Sequence, residues 1–142
     1  MLKSLLFSLA VASFVSGVSA QCGTLTATGT GAAGTTLRLD LTGSTADSVA
    51  LLAVGTTLGS TSFPFGPLGT LTFDLQSPFG FLPLGMTDSN GDATLAINVP
   101  GELTQSVSLH GQAVTTSLVL GRGRPSFNFC VSNTAAFTLG GQ

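Results

Sequence analysis

The sequence predicts an all-β protein, an antiparallel β-sandwich of about nine short strands with Greek-key or jelly-roll-like winding. Three observations carry that expectation. From residue 21 onward, apolar and polar residues alternate at period two wherever the chain is regular. No segment there sustains apolar positions at the 3.6-residue spacing of a helix. Clusters of Gly, Pro, Asn and Asp interrupt the regular stretches at short intervals.

Taken in order, residues 1–20 have the make-up of a secretory signal peptide. Lys3 supplies the positive start, Leu5 to Val15 the apolar stretch, and Val18-Ser19-Ala20 the small residues before a cut. The apolar part is broken by serines and is shorter than the roughly 20 residues a spanning helix needs. Gln21 and Ser19 depart from the pattern of a lipid-attachment site at Cys22, so a released product is expected, with no membrane span after cleavage.

Strands are then expected over Thr24 to Thr28 and over Thr36 to Thr42, where Leu37, Leu39 and Leu41 share one face while Arg38 and Asp40 point to water. Ser48 to Val54 and Leu71 to Leu75 follow. Ala93, Leu95, Ile97 and Val99 then alternate with Thr94, Ala96 and Asn98. Val107 to Ala113, Ser117 to Leu120, Phe127 to Val131 and Ala135 to Leu139 complete the set. Turns are marked by Gly29 to Gly34, Gly43-Ser44, Gly55 to Gly59, Ser89 to Asp92, Pro100-Gly101 and Gly121 to Pro125. Between Phe63 and Pro83, the density of Phe, Pro, Gly and Leu predicts a covering loop with one strand inside it, because Pro64, Pro67, Pro78 and Pro83 disfavour a long central strand.

Residues 21–142 suit a single domain large enough to bury a core. Charged residues make up only 7% of the chain, against about 25% in a typical globular protein, so Thr, Ser, Gly and Asn must cover much of the surface. Beyond the leader, Arg38, Arg122 and Arg124 stand against six carboxylates. That balance lacks the basic footprint a nucleic acid requires. Cys22 and Cys130 are the only cysteines, and in an exported chain they are expected to pair with each other.

The order of motifs resembles small domains, often C-terminal, in secreted proteins of planctomycete-type bacteria. The residues that carry the resemblance are Gly34-Thr35-Thr36-Leu37, Phe81-Leu82-Pro83-Leu84-Gly85, Thr87-Asp88-Ser89-Asn90-Gly91-Asp92-Ala93 leading to Val99-Pro100, Leu109-His110-Gly111-Gln112-Ala113, and Ser132-Asn133 before a strand ending Leu139-Gly140. They span nearly all of the chain after the leader. The resemblance implies an exported β-sandwich without an established activity. Such domains often carry an aromatic residue in place of His110, and a longer acidic loop where this chain has Gly121 to Pro125.

No motif specifies a chemistry. Asp88, Asn90 and Asp92 place oxygen donors at alternate positions, as a calcium loop begins, but Ala93 and Val99 stand where such a loop wants Gly and Glu. Asn90-Gly91 equally suits a tight β-turn. His110 is the sole histidine, and its strand parity sets it with Ser108 and Gln112, opposite Val107 and Leu109, as a surface or partly buried polar residue. No Gly-x-Ser-x-Gly elbow accompanies it, so no catalytic residue is assigned. Asp40, Asp74 and Glu102 are the acids available to a glycosidase, with nothing in the sequence to pair them. Arg122 and Arg124 bracket Gly123 in an expected exposed loop, where they would meet a carboxylate or an acidic glycan. The chain has no Trp or Tyr, the rings on which flat sugar platforms rest. Phe63, Phe65, Phe79 and Phe81 would substitute if exposed, but a buried role is expected.

These observations leave two classes. The first is a non-enzymatic structural or interaction protein of the cell surface or extracellular matrix, which associates with itself or with envelope components through a Phe/Pro/Leu patch and without a cofactor. The second is an extracellular module that binds a glycan or calcium through loops at one end of the sandwich.

Overall fold

The computed structural model describes residues 22–66, 69–120, 123 and 125–141, so the segment 1–20, expected to be a signal peptide, and the Arg122 and Arg124 side chains lie outside the described residues. Nine strands are present among the described residues: β1 (Thr24–Thr28), β2 (Thr36–Thr42), β3 (Val49–Gly55), β4 (Leu58–Pro64), β5 (Thr70–Leu75), β6 (Phe79–Met86), β7 (Ala93–Asn98), β8 (Val107–Leu120) and β9 (Pro125–Leu139). They form a three-stranded sheet ordered β1-β2-β7, a four-stranded sheet ordered β6-β3-β8-β9 and a two-stranded sheet of β4 and β5, with every pairing antiparallel. The pairs β4–β5, β3–β6 and β2–β7 nest one inside the next, as strands do in a jelly roll.

The alternation in β2 sets the first core. Leu37, Leu39 and Leu41 are buried, and they meet Leu25 of β1, Ala93 of β7, Ala50 and Leu52 of β3, Ala113 of β8 and Phe137 of β9. On the outward face of β2, Arg38 Nε donates to Asp40 Oδ1 at 3.0 Å, and Thr94, the cross-strand partner of Asp40, donates to the same oxygen at 2.8 Å. This is the sandwich the sequence predicts, and its two sheets enclose one apolar layer.

The strand β3 explains why there is a second layer. Its sequence, Val-Ala-Leu-Leu-Ala-Val-Gly, is apolar without interruption, which is the pattern of a strand covered on both faces. Ala50 and Leu52 face the three-stranded sheet, while Leu51 and Ala53 face the other way, against Phe73, Leu75 and Leu71 of β5. The four-stranded sheet is therefore central, with the three-stranded sheet on its inner face and the β4–β5 hairpin on part of its outer face.

Two expectations are corrected here. The segment from Phe63 to Pro83 is not a loop with one strand. It contains the end of β4, all of β5 and most of β6, and Pro64 and Pro83 are tolerated because β4 pairs only with β5 and β6 lies at a sheet edge. The four C-terminal strands are two, β8 and β9, which pair along nearly their whole length with one irregularity between Gln112 and Val114. The count of nine survives because two strands missed offset two divided.

Candidate functional site

Asp88, Asn90 and Asp92 lie in the turn between β6 and β7. Asp88 Oδ1 accepts the N–H of Asn90 at 2.8 Å and that of Asp92 at 3.0 Å, and Asp92 Oδ1 accepts the N–H of Gly43 at 3.0 Å. The N–H of Asp92, then that of Asn90, holds the Asp88 carboxyl below the ordinary aspartate value. Gly91 has φ +80° and packs under the Ser44 backbone, where a side chain would collide. These bonds shape a turn and dock it onto the 43–48 loop. Among the described residues, no group of three or more His, Cys, Asp or Glu is placed to hold a metal ion.

The other sequence candidates are scattered. His110 is half-buried on β8, across from Gly55 on one side and Ala136 on the other. Asp40 sits on the outward face of the three-stranded sheet, Asp74 on the hairpin at the opposite side of the molecule, and Glu102 in the exposed turn after β7. The structure thus separates the three acids rather than pairing them. The β8–β9 hairpin runs past the end of β3, since Val49 pairs with Thr116 while Leu120 pairs with Pro125.

The structure gathers a feature that the sequence reading placed in the core. Phe63, Phe65 and Phe81 are 37%, 43% and 47% exposed, so the expectation that these rings are buried fails for them. The reason is one of width: two strands of hairpin cannot cover four strands of sheet. Phe63, Phe79 and Phe81 ring the buried Phe73 at centroid distances of 6.2, 5.5 and 5.7 Å, each edge to face, and Phe65 lies tilted against Phe129 at 5.5 Å. Such edge contacts hold rings in fixed directions.

Where hairpin and sheet part, they leave an apolar cleft of about 350 Å³. Its floor comes from all four strands of the central sheet: Phe81, Leu51, Val114 with Thr116, and Phe129. Its wall is Phe63 and Phe65 of the β4 side with Leu71 of β5. Among the described residues that line it, none is charged. Sequence reasoning named the phenylalanines of the wall and Phe81 of the floor, but not Leu51, Val114, Thr116 or Phe129. The usable signal was the unbroken apolar run of β3, which announces two buried faces and hence a second layer.

Compared with known proteins, the chain matches no family model, no curated protein and no solved structure. Nothing in these comparisons identifies a planctomycete-type domain. Cys22 and Cys130 form an intramolecular disulfide with Cα atoms 5.1 Å apart, a bond that suits folding in an oxidising, extracellular-type environment. No helix among the described residues is long and apolar enough to cross a membrane.

Proposed function

We propose that the chain is a non-enzymatic interaction protein, exported and oxidised, which acts at the cell surface or in the extracellular matrix. It does so by burying the open aromatic part of its central sheet against itself or against an envelope component. The observation that supports this reading is the exposure of Phe63, Phe65 and Phe81 around one apolar cleft. Contiguous apolar surface on a secreted domain marks a contact site. The low charge of the chain, 7% of its residues, lowers the repulsion that otherwise keeps copies and partners apart.

Sedimentation velocity on the oxidised chain over a concentration series, with and without envelope material, tests the reading. Reversible assembly or cosedimentation, weakened about tenfold by Phe81→Ser, is the expected result. That factor corresponds to losing roughly half of the 1.5–3 kcal/mol released by burying such a ring. A monomer at every concentration that leaves envelope material untouched would overturn it.

A further inference from the structure

We infer that the cleft between the β4–β5 hairpin and the central sheet takes up one neutral aliphatic chain, of the kind an uncharged lipid carries. The inference rests on the interaction reading above and supplies the chemistry of the partner.

Shape comes first. The cleft is an open recess at the edge of the hairpin, with Leu51, Val114 and Phe129 below and Phe63 and Phe65 beside. One turn of a helix, about 10 Å across and about 5.4 Å long, fills roughly 400 Å³, more than the recess offers. A single hydrocarbon chain needs less. The volume agrees: about 350 Å³ is room for roughly a dozen groups of the ~30 Å³ that a water molecule occupies in the liquid, which is also about the bulk of a methylene. It lies at the lower end of the roughly 300–1,000 Å³ range of small-molecule sites.

Charge decides the rest. Among the described residues, every lining side chain is apolar except Thr116. Arg38 is the one cation among the described residues, and it is bound to Asp40 on the far face of the three-stranded sheet. Nothing described at the cleft would neutralise a carboxylate or phosphate, while the chain as a whole is acidic. A neutral occupant with at most one hydroxyl-sized polar group, within reach of Thr116, is the complementary ligand.

Titration of the full chain, exported through an oxidising pathway, with 1-hexanol, 1-octanol and 1-decanol tests this by calorimetry and native mass spectrometry. The expected result is one alcohol bound per monomer, with affinity rising about fourfold per added methylene, as full burial of each group requires. Thr116→Phe fills the floor with a residue that strands accept well, and should abolish binding while leaving the thermal midpoint unchanged or higher. Phe65→Ser opens the wall and should weaken decanol binding at least tenfold, a second check should Thr116→Phe fail to fold. Leu82→Ser, exposed but absent from the cleft lining, should bind decanol as the parent does.

Three results would overturn the inference: no binding, an affinity indifferent to chain length, or decanol binding that survives Thr116→Phe. If decanol fails to bind but the chain still assembles through Phe81, the lipid inference falls and the interaction reading stands. If neither binding nor assembly is seen, both fall.

Discussion

Asp88 shows at the scale of one residue how this chain uses the few charges it has. Its carboxylate is spent on two backbone N–H groups, of Asn90 and Asp92, and those bonds lower its pKa from 3.8. A carboxyl whose folded pKa is depressed contributes stability above its unfolded pKa and loses it as pH falls through the folded value. The parent chain should therefore be more stable than Asp88→Ala at neutral pH, and the gap between their thermal midpoints should close as pH drops below 3.8. Asp88→Asn keeps an acceptor for the same N–H groups but carries no charge, so it should sit between the two at neutral pH and converge with the parent in acid. Melting curves for the three proteins across that range check the sign. A gap that widens toward low pH would show that the turn draws nothing from the ionised form. The same residue illustrates what the sequence discloses: the turn at Asn90-Gly91 was legible because turn chemistry is local, whereas the bond from Asp92 to Gly43 crosses 49 positions and has no local signature.

Among the elements, the legible strands are those with one wet face. The alternation of β2 and β7 can be read directly because solvent marks every second residue. The strands β8 and β9 mislead because their polar residues are buried and partnered inside the fold. Ser132 accepts the N–H of Ala113 at 2.9 Å, Thr115 shares a hydrogen bond with Ser44, and Asn133 bonds the N–H and C=O of Leu25, mimicking a neighbouring strand. In the sequence, Thr115-Thr116 and Ser132-Asn133 look like breaks. Gln112 plays the same part between layers. Only 1% exposed, it accepts the Asp74 N–H at 2.7 Å and donates to the Ser132 carbonyl at 2.8 Å and to Asp74 Oδ2 at 3.1 Å, tying β5 to the central sheet. Gln112→Leu keeps much of the bulk but strands the Asp74 N–H and the Ser132 carbonyl, at a cost of about 2–4 kcal/mol. Because the hairpin depends on that tie, hydrogen exchange should quicken in β4 and β5 well before it does in β2 and β7. Uniform acceleration across all nine strands would mean that the hairpin and the sandwich open as one unit, and that the cleft between them is rigid.

The whole molecule is held from its two ends. Cys22 precedes the first strand and Cys130 lies in the last, 108 residues apart, so the bond closes nearly the entire described chain into one loop. In the chain-entropy account, a loop of that length stabilises the fold by about 4–5 kcal/mol, mainly by restricting the unfolded state. A second account is local. The bond lies beside the Cys22 N–H to Val131 carbonyl contact at 2.7 Å and the Ser44 hydroxyl at 3.1 Å from the Cys130 sulfur, and on this view it pins only the edge strand β1. The two accounts differ in what Cys22→Ser/Cys130→Ser should do. If the effect is entropic, the stability to denaturant falls by about 4–5 kcal/mol, and the slowest-exchanging amides of both sheets lose protection equally, since they open only by global unfolding. If it is local, global stability falls by no more than about 1 kcal/mol, the net worth of a hydrogen bond or two, and only β1 exchanges faster. The entropic outcome is expected, because β1 already has two independent holds: its ladder with β2 and the Asn133 side chain that bonds Leu25. Those holds survive the substitution, so the disulfide has little local work left to do, and its contribution must come from the freedom it removes when everything else lets go.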